Sequence, residues 1–214
     1  MPRSGGATRA RIIDAAYALF YREGYMRVGV DEIASRAGLT KRTLYYHFDS
    51  KDALLAAVME AQNELALIRA AKAIEGRSHD AGEVVHALFS DLRRWAATPN
   101  WRGPGFTRIA MELAGLPGHP ARAIARRHKA AFEAMLKARF AACGLADAGA
   151  AAQAVILLME GCMSLMLIHA DTRYAGAAEN AALQLLAAGG GPTSRSPWAA
   201  RSRCRGRRTA ARQP

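Results

Sequence analysis

Residues Val30–Lys51 read VDEIASRAGLTKRTLYYHFDSK, and their spacing decides the fold. They form two short helical segments joined by a tight turn. In the first segment Ile33 and Ala34 point inward. Gly38 permits the sharp turn, Leu39 plugs it into the core, and Thr40 stands where a hydroxyl can cap the second helix. In that second helix Leu44 and Phe48 are four apart and act as buried anchors. Lys41, Arg42, Thr43, Tyr45 and Tyr46 are thereby turned outward. This is the layout of a helix-turn-helix, whose second helix enters the DNA major groove. The two functional jobs fall on different side chains. Arg42 can donate two parallel hydrogen bonds to guanine O6 and N7, worth ~1–3 kcal/mol of discrimination. Thr43, Tyr46, His47 and Lys51 suit backbone phosphates, which set register without reading sequence. Thr40 and Lys41 stand at a helix N-terminus, whose free N–H groups attract phosphate. An isolated Tyr-Tyr-His-Phe would serve equally well in a packed core; the flanking helix, turn and caps favour the DNA-facing arrangement.

Working outward, Thr8 is expected to cap a first helix reaching Glu23, with Ile12, Ala16, Leu19 and Phe20 on its core face. Gly24 ends that helix, as a residue tolerant of positive φ. Gly29 is a weaker cap for the next one than a hydroxyl residue. The segment from Arg11 to Leu54 resembles the TetR family of bacterial transcriptional regulators. The resemblance rests on the RIIDAAYALF helix, Gly24-Tyr25, VDEIA, Ala37-Gly38-Leu39-Thr40, Thr43-Leu44-Tyr45-Tyr46-His47-Phe48 and Lys51. It implies DNA contacts at Lys41, Tyr45, Tyr46, His47 and Lys51. The position of Arg42 is often glycine in that family.

The remainder also reads as helical. The chain is rich in Ala and Leu and has no alternating strand pattern. Ser50 caps a long helix to about Glu75, and Gly76–His79 breaks it. Asp80 with Glu83 reads as a capping box opening a helix to about Ala97. Shorter and longer helices follow at Gly105–Ala114, from Pro120 to Cys143, from a cap at Asp147 to His169, and at Tyr174–Ala188. The expected fold class is all-α: an N-terminal helix-turn-helix domain of three helices and a C-terminal helical body. The expected division is a disordered arm at 1–7, a DNA-binding domain at 8–52, a regulatory and dimerisation domain at 53–188, and a disordered basic tail at 189–214.

The 214 residues carry a formal net charge of +12, which fits an acidic partner such as DNA. Seven of those charges, Arg195 through Arg212, sit in the tail without an acid, leaving a modest +5 for the rest. Three scattered cysteines suggest a reducing compartment. The polar opening segment lacks a signal peptide's apolar core, so the expected location is the cytoplasm. The apolar stretch Ala154–Ala170 is interrupted by Glu160 and is expected to be a helix buried on all sides, not a membrane span. The histidines show no tight ligand spacing and no catalytic or dinucleotide motif is present, so neither metal, cofactor nor enzymatic activity is expected.

Candidate ligand-binding residues are Trp95, Trp101, Phe106, Met111, Glu112, His128, Phe132 and Met159, with Glu112 and His128 as polar anchors among apolar walls. Val155, Leu158, Met159, Cys162, Met163 and Met166 serve a cavity, a partner face or a core equally well. Along one face of their helix, Ala154, Leu157, Gly161, Ser164, Leu165 and Ile168 interleave small and branched residues. With Ala178, Ala181, Ala182, Leu185 and Leu186 they suit a four-helix seam between two copies. The function expected is a dimeric regulator, a repressor released from a palindromic operator by a small molecule of unidentified chemistry. The alternative is an architectural DNA-binding protein without ligand response, motivated by the basic tail.

Overall fold

The structure, a computed structural model, describes residues 5–76 and 80–189. The expected basic tail beyond residue 189 and the first four residues of the expected arm lie outside the described residues. Among the described residues there are nine helices and no strand: α1 Gly5–Glu23, α2 Val30–Arg36, α3 Lys41–His47, α4 Lys51–Ala73, α5 Ala81–Ala96, α6 Gly105–Glu112, α7 Pro120–Ala142, α8 Ala148–His169 and α9 Arg173–Gly189.

The helix boundaries follow local chemistry. Thr40 accepts from Thr43 N at 3.1 Å, Ser50 from Ala53 N at 3.0 Å and Asp147 from Ala150 N at 2.9 Å, each satisfying a donor that a helix start leaves open. Gly24 (φ 95°) and Gly38 (φ 64°) occupy left-handed turns that a side chain would strain. Three expectations need correction. Thr8 does not cap α1; the helix already begins at Gly5, so Gly5–Ala7 are helical and no disordered arm. That extension lies beside α3, where the Arg9 guanidinium stacks over Phe48 at 4.8 Å. Asp80 does cap α5, through Gly82 N at 2.7 Å, but Glu83 stays exposed and makes no reciprocal bond. His119, unforeseen as a cap, accepts from Ala121 N at the start of α7.

Two apolar clusters organise the chain. The first joins α1, α2 and α3 through Ile12, Phe20, Ile33, Leu44 and Phe48, then continues through Leu54 and Val58 of α4 to Leu113 and Ile124. The core of the head thus runs past residue 52 into α6 and α7. The second cluster fills the body between α5, α7, α8 and α9, around Phe89, Phe140, Val155 and Met166. Burying a side chain of this size contributes roughly 1.5–3 kcal/mol.

Helix α8 is not buried on all sides. Val155, Cys162 and Met166 pack inward, but Leu157 and Ile168 are each 73% exposed and Leu165 is open too. Its length and hydropathy of 1.9 would pass for a membrane span. The inner face is nonetheless packed against its neighbours, and Glu160 is ion-paired with Lys129.

Candidate nucleic-acid interface and ligand cavity

The outer face of α3 exists because its inner face is fixed. Leu44 is fully buried and Phe48 nearly so. Lys41, Arg42, Tyr45 and Tyr46 are exposed, Tyr46 at 85%, while Thr43 and His47 are half-buried at the edges. Thr40 is exposed but its oxygen is engaged in the cap. Lys41 Nζ lies 3.0 Å from Asp31, which raises the lysine pKa and restrains the side chain. The Tyr46 ring meets His47 edge-on at 5.3 Å. Lys51 is half-buried with its ammonium 4.3 Å above the Tyr25 ring, and burial pulls its pKa down. Arg9, on the first turns of α1, flanks this face and was not anticipated; only the position of Phe48 beneath it in three dimensions marks it.

Behind this face lies a joint between head and body. Tyr25 donates its hydroxyl to Asp52, which lowers the carboxyl pKa, and burial raises that of the phenol. His119 Nε2 lies 3.4 Å from the other oxygen of Asp52. The Glu112 carboxylate, at the end of α6, accepts from Tyr25 N at 3.1 Å and Met26 N at 2.6 Å. Arg108 of α6 donates to Tyr21 O at 2.9 Å. The Tyr21 hydroxyl accepts from Arg102 N at 3.0 Å and donates to Gly103 O at 3.1 Å. Five hydrogen bonds therefore attach α6 and the loop before it to the end of α1 and the turn that follows.

A cavity of about 300 Å³ opens between this attached α6 and helices α1, α4, α5, α7 and α8. That volume sits at the lower end of the ~300–1,000 Å³ usual for small-molecule sites. Of the nominated residues, Trp95, Phe106, Glu112, His128, Phe132 and Met159 border it. Two expected residues do not. Met111 is 72% exposed, because the turn of α6 that points Glu112 at the head turns Met111 to solvent. Trp101 packs edge-on against Trp95 at 6.0 Å, behind the wall, with its indole N–H buried and unpartnered among the described residues. Glu112 borders the cavity, yet its oxygens are already engaged by the head.

His128 is buried, stacked on Phe106 at 3.8 Å, and hydrogen-bonded through Nδ1 to Asn63 Oδ1 at 2.9 Å. Burial, helped by the charge of Lys129, pushes its pKa down to about 4, so the imidazole is neutral. Of the six residues left open on α8, Met159 and Met163 border the cavity, while Val155, Cys162 and Met166 fill the core and Leu158 packs partly buried against it. Burial raises the Cys162 thiol pKa to about 11, which makes it an inert core residue. Sequence reasoning missed the contributions of α1 and α4, namely Tyr17, Tyr21, Gln62 and Arg69. Their spacing, i to i+4 on α1 and i to i+7 on α4, was the available signal.

A three-helix head with an exposed recognition helix, hydrogen-bonded to a hollow helical body, is the architecture of a DNA-binding regulator. Residues 12–58 match the family described as bacterial regulatory proteins, tetR family. The HTH-type transcriptional regulator TtgR of Pseudomonas putida is 40% identical over 57 residues, 27% of each chain. The A-factor receptor protein of Streptomyces griseus is 47% identical over 51 residues, 24% of this chain and 18% of the relative. These matches thus span about a quarter of the relatives' length or less. The crystal structure of a TetR-family transcriptional regulator from Streptomyces coelicolor extends the likeness. It has a TM-score of 0.78 and 26% identity, and covers 87% of this chain and 97% of that one. Residues 12–58 are thus similar to the TetR family of bacterial regulatory proteins, and the described chain shares the fold of a TetR-family transcriptional regulator.

Proposed function

We propose that the protein acts in the cytoplasm as a homodimeric repressor that binds a palindromic operator and is released by a small molecule held in the cavity. The observation that carries this is the double duty of α1 and α6. Both border the cavity, and both are tied to each other at the base of the head. A ligand that fits only when α6 has shifted would drag the end of α1 with it and change the spacing of two recognition helices. Those helices must lie about 34–36 Å apart to enter successive major grooves. Ligand and operator would then weaken each other equally, typically by ~1–3 kcal/mol.

On the DNA side, Arg42 reads a base, Tyr45 and Tyr46 contact the exposed groove edge, and Thr40, Lys41, Thr43, His47 and Lys51 hold phosphates. The open faces of α8 and α9, with Leu157, Ile168 and Leu185 exposed in the single chain, support dimerisation there. Selection of bound duplexes from a random DNA pool tests the proposal. Recovery of a two-fold symmetric site with half-sites one helical turn apart is expected. Recovery of random sequence would favour an architectural role and overturn the repressor assignment.

A further inference from the structure

The polar inventory of the cavity restricts what can fill it, and the inference below rests on the cavity being the ligand site. Each charged side chain at its wall already has a protein partner. Arg69 lies 2.9 Å from Asp91 and also covers Trp95, and Lys129 is paired with Glu160, which accepts from Thr107 at 2.6 Å. Arg108 donates to Tyr21 O and lies over the Tyr21 ring, and Glu112 accepts from two backbone amides. An ionised ligand would have to compete with these partners for a wall charge in a half-enclosed apolar site, which is costly.

What stays available is neutral. His128 Nδ1 faces the Asn63 carbonyl oxygen and so carries the proton, which leaves Nε2 as a lone-pair acceptor. Nε2 has no partner among the described residues, although the ring borders the cavity and is otherwise buried. Aromatic faces from Tyr21, Trp95, Phe106 and Phe132 surround the same space, with Met159 as a pliable filler.

We infer that the cavity takes an uncharged aromatic molecule that donates a hydrogen bond, through a hydroxyl or ring N–H, to His128 Nε2. Carboxylic acids and amines would compete with the partners that the wall charges already hold, and fully aprotic hydrocarbons forgo the acceptor at His128 Nε2.

Isothermal titration of the full chain at neutral pH with four probes that share a naphthalene ring tests this: 2-naphthol, 2-methoxynaphthalene, 2-naphthoate and 2-naphthylmethylammonium. The naphthol should bind about fivefold or more tighter than the methoxy compound, as one net hydrogen bond allows, and tighter still than either ion. His128→Phe keeps a ring against Phe106 but removes the acceptor, so it should bring naphthol and methoxynaphthalene within about twofold. That ratio is insensitive to general loosening of the site. Met159→Trp, which fills the cavity, should abolish binding of every probe. Tighter binding of an ion overturns the charge argument. A preference for naphthol that is absent in the wild type, or that persists in His128→Phe, overturns the role of His128. If no probe binds at all, or binding survives Met159→Trp, the ligand-site assignment falls and the inference with it.

Discussion

Leu157→Arg should separate the proposed dimerisation from folding. Leu157 lies on the open side of α8 and is 73% exposed in the single chain, so its own subunit gains little from it. Leu186 of α9 is a poorer choice, because it is half-buried against the body core and an arginine there would damage the subunit itself. Full burial of a leucine stabilises by ~1.5–3 kcal/mol. With about three quarters of the side chain still open, each copy has roughly 1–2 kcal/mol left to gain in a seam. Two-fold symmetry doubles that to ~2–4 kcal/mol, or about 30- to 1,000-fold in the dimer dissociation constant. An arginine facing its own copy adds repulsion to this loss. Sedimentation equilibrium should show the variant shifted to monomer, while urea unfolding of dilute protein keeps its midpoint. Operator binding should fall with the dimer. A dissociation constant within threefold of wild type would show that the α8 face is not the seam. A monomer with undiminished operator affinity would show that pairing is not needed for recognition.

Three further outcomes follow from the head, the joint and the cavity. Lys51→Ala should weaken binding to all duplexes and reduce the slope of log affinity against log salt by ~0.9, whereas Arg42→Ala should cost ~1–3 kcal/mol of preference at one or two base pairs only. Fluorescence anisotropy across a salt series distinguishes these, and identical slopes for wild type and Lys51→Ala refute the phosphate assignment. Glu112→Ala removes both acceptors of the Tyr25 and Met26 amides; it should lower unfolding free energy by ~1–2 kcal/mol and uncouple probe binding from operator binding, whereas undiminished coupling refutes the α6 attachment as the link. For His128 the sign is set by its depressed value: its stabilising effect is intact above pH 6.5 and is lost as pH falls from 6.5 towards about 4, because the unfolded chain takes up a proton that the folded one refuses. The loss should be roughly 1–3 kcal/mol after allowance for solvent entering the cavity, and His128→Phe should flatten that part of the urea stability–pH curve.

The head was legible because its determinants are local. A cap, a turn glycine and two anchors four residues apart all fall within one stretch of 22 residues, and each constrains the next. Where the head was misjudged, the missing information was spatial. Thr8 has the right chemistry for a cap, but α1 starts a turn earlier, and Arg9 on its first turns stacks over Phe48. The burial of α8 was misjudged for a related reason. Composition reports how apolar a helix is and not how many of its faces find a neighbour within one chain. Leu157 and Val155 look alike in sequence and differ only in which side of the helix meets the rest of the body.

The cavity resisted a sequence-only account because its wall is assembled from six helices that are far apart in sequence. Aromatic residues on α5, α6 and α7 could be nominated by type, and most of them do border it. Met111 could not be sorted from Glu112 that way, since the two adjacent residues point in different directions and only the backbone amides of Tyr25 and Met26 decide which one turns inward. The same two amides give the site its mechanical meaning. An acid nominated as a ligand anchor from the sequence also fastens the cavity wall to the head. Under the proposed function, a molecule entering the cavity would not have to touch Glu112 chemically to affect DNA binding. In the proposed switch it need only move α6, and the engaged carboxylate would carry that movement to the turn between α1 and α2.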